Sequence, residues 1–316
     1  MEIFYLKDTY SAFGLTIASD FHLPELKTVS SINAKPDVWI ERADLKGLWE
    51  TYDQTNAYHY IKENFCLFRV PGVAIYKIES GREITVSPIG DTSEEQIKLY
   101  LLGTCLGVAL MQRKVLPLHG SAIVIDGKAY AIVGESGSGK STLAAAFIKR
   151  GYEILTDDVI AVEFSNDDTP TVIPSYPYQK LWQESLKQFG LMSNNYQSIY
   201  DRETKFSVPV NQHFNEHNIP LGGIFHLSKN DQAEVEVIPI QTLECFPFLY
   251  YNTYRYFMIE RLGLTNWHFE FSATLINKIA FYRIVRPRSR FTANEIVDQI
   301  LAKVKKRYHF KKEVLR

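Results

Sequence analysis

From Met1 to about Gly90, apolar and polar residues alternate over short runs, the period of strands whose side chains point by turns to a buried and a wet face. FGLTIAS (Phe13 to Ser19), DVWIER (Asp37 to Arg42), YHYIK (Tyr58 to Lys62), FCLFRV (Phe65 to Val70), VAIYKIE (Val73 to Glu79) and EITVSP (Glu83 to Pro88) carry it. Pro or Gly separates many of them. The pattern predicts a β-rich N-terminal lobe over 1–90, an antiparallel sheet covered on one face. The period then changes. Ile97, Leu101, Leu102, Cys105, Leu106 and Leu110 recur at helical spacing, which predicts an amphipathic helix between Asp91 and Arg113 that joins this lobe to the rest, 91–316. Asp91 or Thr92 can cap it, and Glu94 and Glu95 suit its positive end.

SAIVID and AYAIVG, on either side of Gly127-Lys128, read as two strands around a tight turn. The loop ESGSGK comes next, then an Ala-rich helix closed by Gly151. YEILTDDVIAVEF reads as a strand broken by an acidic pair, and Asn166 to Pro170 as a turn. Gln179 to Gly190 reads as a helix, IFHLSK and VEVIPI as strands, and TANEIVDQILAKVKKR as a capped amphipathic helix. The fold class expected is α/β (α+β).

With 46% hydrophobic and 22% charged residues among 316, the chain can bury a large core and is too apolar for disorder. A net charge of -1 argues against a broad nucleic-acid surface. The basic tail Lys303 to Lys312 reads as the solvated end of a helix. The start has no secretory signal pattern, no apolar run is long enough to span a membrane, and three scattered cysteines suit a reducing, cytoplasmic setting. Scattered Tyr and Phe reflect core and interface packing, compatible with a homo-oligomer.

Gly134, Glu135, Ser136, Gly137, Ser138, Gly139, Lys140, Ser141 and Thr142 satisfy GxxxxGK[ST], with an apolar strand before and a helix after. Glycines let the backbone approach phosphate oxygens, and successive N–H groups at a helix start supply fixed positive charge. Lys140 can reach the β- and γ-phosphates, and the Ser141 hydroxyl can ligate magnesium. The cofactors implied are ATP and Mg2+.

Asp157 and Asp158 come one short helix later inside an apolar run. One can hold magnesium while the other takes a hydroxyl proton from an acceptor. Adjacent strand side chains point to opposite faces, so both face the loop only if the strand is bulged or ends there. His119-Gly120 precedes the hairpin, and from the residues His119 is a packed or capping histidine. His213 and His217 have one-face helix spacing, but no HExxH arrangement and no evident third ligand mark a zinc site.

Taken together, LHGSAIVIDGKAYAIVGESGSGKSTLAAAFIKRGYEILTDDVIAV (Leu118 to Val162) resembles the catalytic domain of HPr kinase/phosphorylase. The resemblance implies the phosphoenolpyruvate carboxykinase-like version of the P-loop kinase fold. It implies phosphate and magnesium binding by Lys140 and Ser141, a general base at Asp157, a metal-side partner at Asp158, and His119 assisting near the phosphates. Thr142 stands where those enzymes usually carry Glu, their later basic-Gly signature has no clear match, and the N-terminal lobe differs. HPr itself and the reverse phosphorylase reaction stay open on that account.

The whole chain is similar to HPr-kinase-related proteins encoded with lasso peptides, through YSAFGLTIASDFHLPEL, PYQKLW, KFSVP, NTYR and RPRSRF. That likeness implies transfer to a serine of a precursor peptide, at or near its C-terminus. The peptide would enter a cleft between the two lobes, where Lys180, Lys205 or Arg255 could neutralise phosphate or a carboxylate. A kinase of a small hydroxylated metabolite and a non-catalytic nucleotide-binding regulator are the alternatives. Neither nucleic acid nor membrane is an expected partner.

Overall fold

In the computed structural model, residues 8–30, 35–52, 58–199, 202–231 and 233–314 are described, the side chains of 202–203 and 307–314 excepted. The first residues of the chain and the side chains of the basic tail from Arg307 onward lie outside this set. The protein is a mixed α/β molecule with three sheets.

An eight-stranded sheet is built from β1 (Asp8–Ala12), β2 (Leu15–Ser19), β3 (Lys27–Thr28), β4 (Val38–Arg42), β5 (His59–Lys62), β6 (Phe65–Val70), β7 (Ala74–Glu79) and β8 (Glu83–Pro88). Its order is β3-β1-β2-β4-β8-β7-β6-β5. The sheet is mixed, not antiparallel throughout, because β4 pairs in parallel with both β2 and β8. A short helix, α1 (Lys46–Tyr52), lies on the crossover that a parallel pairing requires. Its Trp49 is buried with Leu45, Leu67 and Ile75.

The joining helix starts later than Asp91 or Thr92. Ser93 caps α2 (Glu94–Tyr100) in a capping box with Gln96. A π-helical turn, Leu101–Cys105, leads into α3 (Leu106–Gln112). Every residue from Leu101 to Gln112 is buried, so this stretch is not amphipathic but enclosed on all sides. Gly103 and Gly107 admit the ring of Tyr254, whose atoms would lie 2.9 and 2.8 Å from a Cβ at those positions. One core cluster joins the first sheet (Ile17, Tyr76, Ile84), this helix (Ile97, Leu101) and the later chain (Val159, Met258).

The second sheet holds β9 (Leu116–Ile125), β10 (Lys128–Val133), β11 (Ile154–Phe164) and β12 (Pro170–Ile173). The β9–β10 turn at Asp126-Gly127 has both residues at positive φ, the mirror-image turn that matches strand twist. Between β10 and β11 runs α4 (Lys140–Lys149), closed by Gly151 at φ +85°. A small third sheet is made by β13 (Tyr178–Trp182), β14 (Gln197–Ile199) and β15 (Arg202–Pro209). The helix expected over Gln179 to Gly190 is therefore a strand first. Its pairing with β15 holds residues up to Trp182 extended, and α5 is only Gln183–Gln188.

The second sheet is completed by β16 (Ile219–Asn230), β17 (Glu236–Pro239) and β18 (Ala280–Pro287). Both β10 and β18 run parallel to β16. Since β12 meets β16 only at Ile219 and Pro220, the sheet edge beyond Val133 reads β11, β9, β10, β16, β18. Helices α6 (Thr242–Asn252), α8 (Thr265–Lys278) and α9 (Ala293–Val314) pack on its faces, whereas α7 (Met258–Arg261) lies in the core shared with the first sheet, against β5 and α8.

Candidate functional site: a glycine-rich loop facing two aspartates

The loop after β10 is shaped by its glycines. Gly134 has φ +143°, and a Cβ there would lie 2.4 Å from the Leu227 carbonyl oxygen of β16. No residue but glycine fits. Lys140, the first residue of α4, is buried and turns back over the loop, its Nζ donating to the carbonyls of Gly134 (2.8 Å) and Glu135 (3.0 Å). Burial lowers its pKa to about 8, against the pull of Asp157 and Asp158. Gln179 Nε2 donates to the Ser141 carbonyl at 2.9 Å, and the hydroxyls of Thr142 and Ser185 lie 2.7 Å apart, so α4 is pinned from the third sheet and α5.

The acidic pair does not break its strand. β11 runs unbroken through both residues, with a register irregularity between Ile154 and Thr156 and with Asp158 at φ +89°. That left-handed residue resolves the two-face problem, since both carboxylates line one cleft. Asp157 is buried. Its Oδ1 accepts from the Ser121 hydroxyl at 2.5 Å and its Oδ2 from the Lys180 N–H at 2.8 Å. Burial raises its pKa more than those two bonds lower it. Asp158 Oδ2 accepts from Lys180 Nζ at 2.7 Å. Burial works to raise this carboxyl too, but the charge and hydrogen bond of the Lys180 ammonium outweigh it and hold it well below the usual range. The neighbours are thus set apart, one toward protonation and one firmly ionised.

His119 lies within β9, not ahead of it. Its Nδ1 is 3.1 Å from the Asp158 carbonyl oxygen and 3.6 Å from Oδ1. Burial lowers its pKa, so the ring is neutral at pH 7. Gly120 beside it is required by packing: a Cβ would sit 2.1 Å from the Ile132 carbonyl oxygen on β10.

These residues share a cleft of about 1180 Å³. Of the residues expected at the site, all but Ser138 line it, including Lys180, Lys205 and Arg255. Ser138 stands behind the loop, its hydroxyl buried without a hydrogen-bond partner. Lys180 is not a detached cation for substrate, because Asp158 takes its charge. Lys205 lies over the Trp182 ring at 5.4 Å. Arg255, at φ +55°, donates through Nη2 to the Thr104 hydroxyl of the π-helical turn at 3.0 Å. The cleft does not lie between two lobes. Its lining runs from Leu99 to Ile296, and among the described residues none before Leu99 contributes. His213 ends a 3-10 turn, Asn211–His213, and His217 lies beyond it at a bend, so they share no helix face. Among the described residues, no group of three or more His, Cys, Asp and Glu could hold a metal ion by itself.

No family model matches the chain. Curated relatives do. The chain is 41% identical over 54 residues to the HPr kinase/phosphorylase of Lachnoclostridium phytofermentans, covering 17% of this chain and 18% of that one. It is 26% identical over 181 residues to the enzyme of that name from Lactiplantibacillus plantarum, 54% of this chain and 56% of the relative. Among solved structures, the HPr(Ser) kinase/phosphatase of Coxiella burnetii matches at 15% identity with a TM-score of 0.32, covering 61% of this chain and 98% of that one. The chain thus spans between about a fifth and just over half of these two curated relatives.

Several residues of the site carry no sequence signal of their own. Ser121 is one more small residue in a strand until β9 sets it opposite Asp157. Arg286 lies in RPRSRF, a run with no chemical motif of its own, yet its Nε and Nη2 both donate to the Ser138 carbonyl, at 3.0 and 2.9 Å. Register offers the one clue: Arg286 ends a strand parallel to β16, and such strand ends gather ligand groups.

Proposed function

We propose that this protein is an HPr kinase-like P-loop kinase that uses ATP and Mg2+ to phosphorylate a serine hydroxyl. The acceptor serine lies on a peptide, at or near the C-terminus of a lasso peptide precursor. The observation that carries the proposal is the divided acidic pair beside Lys140. A protein that only binds nucleotide has no use for a carboxylate of raised pKa next to one kept ionised.

In this reading the loop N–H groups and Lys140 hold the β- and γ-phosphates. The donor set fits magnesium as phosphoryl-transfer sites bind it, with Ser141 and Asp158 supplying protein oxygens and phosphates the rest. The ion would neutralise phosphate charge. Asp157 takes the proton of the serine hydroxyl. A bond forms from that oxygen to the γ-phosphorus while the bond from phosphorus to the bridging β-oxygen breaks, and ADP leaves with the electron pair. Asp157 then releases its proton to solvent. Lys180 keeps Asp158 charged and, through its N–H, orients Asp157. His119, neutral, supports Asp158 from β9. The likeness to kinases of precursor peptides supports the choice of acceptor, and Arg255 stands in the cleft to meet an acidic group on it.

Mass spectrometry of a candidate precursor after incubation with the protein, ATP and magnesium should show one added phosphate on a C-terminal serine. Phosphorylation of free hydroxylated metabolites, with none on any peptide, would refute the peptide acceptor.

A further inference from the structure

The phosphate loop leaves β10, the middle of the five strands β11, β9, β10, β16 and β18 at the cleft. Asp157 and Asp158 lie two strands away on β11. Arg286 lies two strands away in the other direction, on β18. At the strand spacing of a sheet, each is about 10 Å from the loop's own strand. A triphosphate whose γ end faces the aspartates must therefore lead its nucleoside toward β18 and the chain just beyond it.

That chain turns into the amino end of α9. Thr292 occupies its cap position, its carbonyl accepting from the Ile296 N–H at 3.0 Å. A capping threonine ordinarily turns its hydroxyl onto the first helical N–H groups. Here the hydroxyl makes no hydrogen bond, although the residue is only 3% exposed and lines the cleft. Beside it Phe291 is 41% exposed, with its ring edge-on to Phe189 at 5.9 Å between centroids. Ala293 and Ile296 add an apolar floor, and Arg288 a cationic rim. The aromatic face, apolar floor and unsatisfied hydroxyl suit a base, while Lys229, Arg286, Arg288 and Arg290 around them suit the phosphates it carries.

We propose that the nucleoside of the bound triphosphate lies at the amino end of α9, its purine base against Phe291 and hydrogen-bonded by the Thr292 hydroxyl. The proposal rests on the kinase reading. Arg286, clamped on Ser138, marks the passage between phosphate loop and base.

The test compares the affinity of a non-hydrolysable ATP analogue with that of inorganic tripolyphosphate, both with magnesium. Wild-type protein should bind the analogue more tightly. Phe291→Ala and Phe291→Leu should each weaken the analogue about tenfold, and Thr292→Val about threefold, with tripolyphosphate unchanged for all three. Unchanged affinity for the analogue in these variants overturns the base site, as does equal weakening of both ligands. Phe291→Leu keeps the apolar packing, so its result stands if the alanine variant is poorly folded. Wild-type protein that binds both ligands equally also overturns the base site while sparing the kinase reading. Wild-type protein that binds neither refutes the kinase reading itself.

Discussion

Burial lowers the Lys140 ammonium to about 8 and raises the Asp157 carboxyl, so both titrate nearer neutrality than they do in water. For Lys140 the consequence is measurable without an acceptor. A bound triphosphate keeps the ammonium charged, whereas in the free protein it loses its proton as pH passes about 8. Affinity for an ATP analogue should fall about tenfold between pH 7 and pH 9, with proton uptake on binding at the higher pH. Titration calorimetry in two buffers reads both, and a flat profile would show that Lys140 is not the group holding the phosphates. For Asp157 the sign is opposite: the base is active once deprotonated, so transfer should rise with pH through its raised pKa. Asp157→Asn should keep ATP affinity and lose transfer by about 10²-fold or more. Collapse of affinity with turnover per bound ATP preserved would exchange the roles of the two aspartates.

Single strands and turns explain which parts of the fold were legible in the sequence and which were not. GESGSGKST was readable because its spacing is a known motif and its glycines take positive φ, as at Gly134 (φ +143°). The bulge condition for the aspartates was also readable, as an either-or, and Asp158 settles it with a left-handed backbone. Gln179 to Trp182 misled because QKLW has no strand alternation of its own. Its extended form comes from β15, more than twenty residues later. His119-Gly120 hid in the same way, its glycine demanded by a carbonyl on the neighbouring strand. Gly120→Ala should therefore cost about 1–3 kcal/mol of stability and slow transfer by shifting Ser121 from Asp157. Ser121→Ala, which leaves the packing alone, should be more stable than Gly120→Ala. Thermal unfolding of the pair decides, and a fully stable Gly120→Ala would show slack between β9 and β10.

At the scale of the molecule, the N-terminal sheet and the site-bearing sheet share a core through α2, the π-helical turn and α3. Leu101 and Leu106 are within 1% of full burial, and their cluster includes Ile17 and Tyr76 on one side and Val159 and Met258 on the other. A chain begun at residue 91 would bare that enclosed helix. It should aggregate or lose cooperative unfolding, which light scattering and circular dichroism would register. A soluble, cooperatively folding 91–316 fragment that binds ATP would show that the first sheet is an accessory.

The clasp of Arg286 on Ser138 also sets a schedule for making the protein. Its two partners are 148 positions apart, so a ribosome must have released β18 before the loop of residues 134–141 meets its arginine. At ordinary elongation rates of about 5–20 residues per second, the loop waits roughly 7 to 30 seconds for that clasp. A nascent chain stalled or cut before Arg286 would carry the whole GESGSGKST signature and both aspartates, yet lack the strand that steadies the loop. On the proposed kinase reading, truncated products that end before Arg286 should therefore be poor consumers of ATP.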